Sequence, residues 1–201
     1  MTTYTLAYAP ASFSLSKVMN DEMFVGLNGA MQASSRTGNR FALSMSFIRG
    51  RADYMTLTAM IDQLHGTRHR LSVPMSKLGY SRVGVGGGTP LINGNHSAGA
   101  TSISLKGLPS STTGILQPGD FLQIGNQLCR AVTILTSGGG SPLTTGSLTI
   151  FPELHADQAN GSAVNYSTPA GVFYRVSDSG LSLDHAGIGQ ISVELMQDVL
   201  A

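Results

Sequence analysis

Charge is what this sequence has least of. Asp, Glu, Lys and Arg make up 11% of its 201 residues, against roughly 25% in ordinary soluble domains, so neutral Ser, Thr, Gly, Asn and Gln must cover the surface. Such a surface gives little electrostatic protection against association, which favours a protein taken up by neighbouring subunits over a free monomer. The formal net charge is +1 and no run of Lys or Arg occurs. The footprint of a nucleic-acid binder is missing, so direct nucleic-acid binding is not expected. The single cysteine, Cys129, excludes an intramolecular disulfide framework and any cysteine-based zinc finger. In a strand pattern it reads as a small buried hydrophobe rather than a reactive thiol. No stretch approaches about 18 consecutive apolar residues, and the N-terminus has no basic region followed by an apolar one. A soluble protein made in the cytosol, without membrane insertion, is the expectation.

What is present is globular: 41% of residues are hydrophobic, enough for a sizeable core. The clearest hairpin is Pro118 to Ile134. There Phe121 or Leu122 with Ile124 forms one strand, Gly125-Asn126 a tight turn, and Leu128, Arg130, Val132 and Ile134 the returning strand. Upstream, Tyr4-Leu6-Tyr8 is a short alternating strand candidate, and residues 28–39 have loop composition. Phe41, Leu43, Met45 and Phe47 alternate with Ala and Ser as an amphipathic strand. Tyr54, Leu57, Ile61 and Leu64 recur at helical spacing before Gly66, which predicts a helix over 52–65. Leu71, Val73 and Met75 alternate again. From Gly79 the composition changes to a Gly-rich passage ending at Gly94, with linker character. Beyond it the apolar pieces are short, at 103–105, in the central hairpin, at 148–150 and at 163–166. Turns such as Ser137 to Pro142 separate them, the pattern of a small all-β barrel or sandwich. After Pro169 longer alternation returns at Val172, Tyr174 and Val176, then Leu181 and Leu183, then Ile191, Val193 and Leu195. The predicted organisation is a discontinuous outer domain, residues 1–78 and 170–201, with residues 79–169 inserted as a β-barrel domain.

Motifs with chemical meaning are sparse. His65 and His69 have the spacing of two metal ligands on a helix face, but Gly66 lies between them and no acidic third ligand is near, so ordinary surface histidines compete with a metal reading. His96, His155 and His185 lie in loop-like sequence; Leu154-His-Ala-Asp157 is the nearest approach to a ligand pair. Gly84-Val-Gly-Gly-Gly-Thr89 has a superficial likeness to a phosphate-cradling loop, yet no Lys-Ser/Thr pair or helix follows, which favours a flexible connector. No paired carboxylates and no Gly-x-Ser-x-Gly elbow stand in a catalytic setting. No catalytic, cofactor-binding or metal residue is assigned, and an enzyme is not expected. Tyr166, Phe173, Tyr174 and Phe121 could stack a sugar; with 6% aromatics and no Trp, core packing is the competing reading. Asp120, after Pro118-Gly119, fits a turn residue entering a strand.

Several of these stretches also carry a family resemblance. Gly88-Thr-Pro-Leu-Ile-Asn-Gly94, Gly114 to Gly125 with Leu128-Cys-Arg130, Ile150-Phe-Pro152 and Gly171-Val-Phe-Tyr-Arg175 resemble the distal tail proteins of the tail tip, or baseplate hub, of long-tailed bacteriophages. Arg36-Thr-Gly-Asn-Arg40 before a strand and helix, and Glu194 to Leu200 at the C-terminus, are similar to the same group. Phe41 and Ile191 stand where many members have Trp. The resemblance implies a mainly β fold: a tail-tube-like β-sandwich with one short helix, plus an inserted small barrel of oligonucleotide/oligosaccharide-binding type. It implies a virion protein, assembled in the host cytoplasm, that forms a hexameric ring at the tail tip. Its partners would be the tail tube protein, the hub protein, the tape-measure protein and tail fibres or receptor-binding proteins, with no cofactor. The alternative function is a carbohydrate-binding module touching the host surface through the inserted barrel.

Overall fold

The computed structural model describes all residues except 26, 28, 139–143, 179–181, 184–186 and 200–201. His185, Leu181 and most of the turn at 137–142 therefore lie outside the described residues. The described chain is mainly β with one α-helix. Strands β1 (Thr3–Thr5), β2 (Ser12–Val18), β3 (Asp21–Val25), β4 (Met31–Ser35) and β5 (Arg40–Gly50) lead into α1 (Arg51–Asp62) and β6 (Arg70–Pro74). Six strands follow: β7 (Leu91–Ile92), β8 (Ser102–Leu108), β9 (Phe121–Ile124), β10 (Gln127–Ala131), β11 (Thr144–Phe151) and β12 (Val164–Asn165). The last are β13 (Ala170–Asp178), β14 (Ser182–Leu183) and β15 (Ile188–Gln197).

The first sheet runs β1-β6-β13-β15-β5-β2, with β14 added beside β15, and curves into a half-barrel. Alternation explains it. Phe41, Leu43, Met45 and Phe47 of β5 point to the same side as Ile191, Val193 and Leu195 of β15, with which they are in register, and all are buried. Tyr54, Leu57 and Ile61 of α1 close over them. Each such side chain contributes on the order of 1.5–3 kcal/mol by leaving water. A Cβ at Gly189 would stand 2.1 Å from the Tyr54 ring, so the helix seats over β15 only because that position has no side chain. The helix ends at Asp62, three residues before the predicted Leu64–His65 end. Leu64 and His65 N–H groups instead bond back three residues, to Ile61 and Asp62. This tightened turn still buries Leu64, and so prolongs the apolar periodicity past the helix.

The second sheet, β12-β9-β10-β11-β8-β7, is a nearly closed barrel. A bridge between Leu91 and Ala163, with Ile92 N–H donating to Ser162 C=O, joins its two edges. The Gly-rich passage is not a slack connector. Val85 and Gly86 N–H donate to the carbonyls of Gly114 and Ile115, and a Cβ on Gly84 would lie 2.3 Å from the Ile115 carbonyl oxygen. Glycine is there for backbone contact, which composition alone does not distinguish from flexibility.

Two further expectations are corrected. The stretch 28–39 is not all loop, because β4 pairs with β3 as a separate two-stranded hairpin. The returning strand of the central hairpin stops at Ala131, leaving Val132 and Ile134 about half exposed. Its apolar residues do not alternate because β10 is buried on both sides: Leu128 enters the core of the first sheet, while Cys129 and Ala131 enter the core of the barrel.

Candidate functional site

The most unusual surface is the β3–β4 hairpin. Its strands pair only with each other among the described strands. Every residue of β3 is exposed. In register, Met23 and Val25 share a face with Met31, opposite Val25, and these three are 66%, 64% and 72% exposed. Phe24 on the other face is also exposed. An isolated two-stranded ribbon is marginal in water, and one whose exposed apolar residues join neither core among the described residues is the mark of an interaction site. Its ion pair, Glu22 with Arg36, is largely exposed.

The second surface is the outer face of the first sheet. Ser12, Ser46 and Ser192 lie side by side across β2, β5 and β15, as do Ser14, Ser44 and Glu194, and then Ser16, Ala42 and Met196. Apart from Glu194 and Met196, this paves the face with small neutral side chains around a shallow groove of about 200 Å³. The Ser177 hydroxyl donates to Glu194, the carboxylate within it, at 2.5 Å. Among the described strands β2 is also the last of its sheet, with Phe13 exposed.

Between the two sheets lies a buried polar seam. Glu153, 6% exposed, accepts the N–H groups of Gly38 at 2.7 Å and Asn39 at 3.0 Å, and the Asn39 amide at 3.0 Å. Gln127 Nε2 donates to the Glu153 carbonyl, and its Oε1 accepts His155 N–H. The His155 Nε2 lies 2.8 Å from the Asn39 carbonyl, to which it donates. Burial alone would raise the Glu153 pKa, but the donors from Gly38 and Asn39 outweigh it and hold it below the usual range. Burial lowers that of His155 and keeps it neutral. Gln197, wholly buried, completes the seam by accepting Phe41 N–H and donating to the Leu128 carbonyl.

The residues singled out in the sequence are scattered and structural. His65 and His69 pack ring edge to ring, 5.9 Å apart, beyond the end of α1, and His69 Nδ1 accepts Thr2 N–H. Among the described residues no group of three or more His, Cys, Asp or Glu could hold a metal. His96 Nε2 accepts Ser104 N–H, and Asp157 accepts Ala98 N–H. Tyr166 and Phe173 are buried in the two cores, and Phe121 packs on Phe41 and Tyr80. The Tyr174 hydroxyl meets Met196. Gly84 N–H donates not to a phosphate but to Asp120. Asp120 is more than a turn residue: it also accepts Val83 and Gln117 N–H and the Tyr80 hydroxyl, each at 2.8–2.9 Å. Burial and Asp120 push the Tyr80 hydroxyl up to about 12, against a weaker pull from Phe121 N–H. Burial, with the Glu153 charge, pushes the Cys129 thiol far up, which leaves it inert.

Sequence reading missed β2, the pairing of β3 with β4, and the seam. The Phe13-Leu15 alternation with Ser12, Ser14 and Ser16 is a period-2 signal for β2, and Met23-Phe24-Val25 facing Met31 across Gly29 is a hairpin signal. The Glu153–Asn39 contact spans 114 residues and leaves no local trace. No protein-family model matches this chain, and no curated protein matches it.

Proposed function

We propose that this protein is a structural, non-enzymatic virion subunit that assembles into a ring at the distal end of a long-tailed phage tail. In this reading the first sheet builds the ring and lines its channel, and the barrel faces fibres or receptor-binding proteins. The ring, hexameric by the resemblance, joins the tail tube to the hub and sits beside the tape-measure protein. The observation that carries the reading is the β3–β4 arm, a ribbon whose exposed Met23, Phe24, Val25 and Met31 would leave water by landing on another surface. The serine-paved sheet face suits a channel wall that holds nothing tightly, and the low charge suits a subunit covered by copies of itself. The carbohydrate reading has less support, since Tyr166 and Phe173 are buried rather than presented to a sugar.

Negative-stain microscopy and mass photometry of the purified protein test it. Closed rings of uniform size are expected, and Met23→Asp with Val25→Asp should leave monomers whose melting temperature is nearly unchanged, because exposed substitutions shift stability by only about 0.5 kcal/mol. A wild type that stays monomeric at all concentrations and is absent from tail tips would overturn the reading.

A further inference from the structure

We propose that Glu153 and His155, on the barrel, form the seat that sets the direction of the β3–β4 arm. The chain ties the arm's feet to β2 and β5, but a peptide linkage leaves φ and ψ free. The bonds that fix them converge on the barrel. At one foot, Asn20 N–H donates to Asn39 Oδ1 at 2.7 Å and Asn20 Nδ2 to the Thr37 carbonyl at 2.8 Å. At the other foot, Gly38 and Asn39 donate three N–H bonds into the Glu153 carboxylate. His155 holds the Asn39 carbonyl. Asn39 is thus the common node, with one side chain bonded to the first foot and to the barrel at once. Buried, charge-assisted bonds of this kind are short and directional. The exposed Glu22–Arg36 pair cannot substitute for them, as such pairs contribute little.

The segment that carries the seat follows β11 directly, and Leu154 is anchored in the barrel core. A displacement of this segment therefore swings the arm. Resting on the assembly reading above, the seat couples what the barrel touches to how the arm meets a neighbouring copy; the seating itself does not depend on that reading.

Spin labels at Gln32→Cys on the arm and Val132→Cys on the barrel, diluted into unlabelled protein, read the arm's direction as a distance distribution. The buried Cys129 thiol stays unlabelled in the folded protein. A single narrow distance is expected for the otherwise wild-type chain, its loss in Glu153→Ala, an intermediate width in Glu153→Gln, and no change in Glu194→Gln on the outer sheet face. Should Glu153→Ala fold poorly, Asn39→Ser with hydrogen exchange serves instead. The Asn20 amide, which loses its Asn39 Oδ1 acceptor, should then exchange several-fold faster, with barrel amides unaffected. Unchanged distances in Glu153→Ala, or an unchanged Asn20 amide in Asn39→Ser, overturn the seat while leaving ring assembly standing. Labels that respond as expected on a protein that never self-associates keep the seat and remove the assembly role.

Discussion

At the scale of single residues, the buried carboxylates do the most with the least charge. Glu153 gathers three donors from Gly38 and Asn39, more than a hundred residues away, and Asp120 gathers four, from Tyr80, Val83, Gly84 and neighbouring Gln117. Both are held below the ordinary carboxylate range, since their bonds outweigh burial. His155 is held below its ordinary 6.5 by burial first. The sign follows from linkage: where the folded pKa is depressed, the unfolded chain binds more protons as pH falls, so stability is present above the unfolded pKa and is lost on acidification. Melting temperature should therefore begin to drop as pH falls below about 6.5 through the His155 range, and drop again below about 4.5 through the two carboxylates. Thermal melts between pH 8 and 3 check this. His155→Gln, which can still donate to the Asn39 carbonyl, should remove the first decline and keep the second. A flat profile down to pH 5 in the wild type would contradict the role given to His155.

At the scale of elements, legibility tracked how many faces of a strand are buried. Strand β5, with one face in the core, alternates cleanly and was readable from Phe41 to Phe47; β10, buried on both faces, broke the rule and its end was misread at Val132 and Ile134. The arm was missed for the opposite reason, since with no core to face it has no contrast between sides. The Gly-rich passage was misread because glycine serves close packing as well as freedom. That difference is measurable at Gly84. An added methyl would meet backbone atoms of Ile115 and Leu116, which cannot swing aside as a side chain can. Gly84→Ala should destabilise the protein by about 1–3 kcal/mol, the scale of overpacking, by chemical denaturation. Gly138→Ala is the contrast, as its Cβ would meet nothing within 4 Å and its φ is not positive, so a change near zero is expected there. Loss at Gly84 equal to that of an unconstrained linker glycine, near zero, would return the passage to a simple connector.

At the scale of the whole molecule, the two sheets share material rather than merely touch. The alternation of Phe41 to Phe47 and of Ile191 to Leu195, far apart in the chain, was visible in the sequence and put both stretches in one outer domain; that they are neighbouring strands in register is what the structure adds. What was not visible is that β10 belongs to both cores. Leu128 lies in the first core and its carbonyl takes the Gln197 amide, while the next residue, Cys129, lies in the second. Phe121 and Phe151, from barrel strands, pack edge-on against Phe41 at 6.0 and 5.5 Å. Unfolding the barrel would thus strip the first core of Leu128 and two aromatic rings, and unfolding the first sheet would expose one whole face of β10. Neither sheet has an unfolded partner it can tolerate, so calorimetry should show a single transition whose calorimetric and van't Hoff enthalpies agree. Leu128→Ala is the decisive variant, because its side chain points into the first core while its strand belongs to the barrel. It should lower stability by about 2–5 kcal/mol, the cost of emptying a buried leucine site, and hydrogen exchange should report the loss in β5 and in β8 alike. If only one sheet weakened, or the melt split into two steps, the barrel would be an independently folding appendage, free to swing on its connections rather than held at one angle to the first sheet.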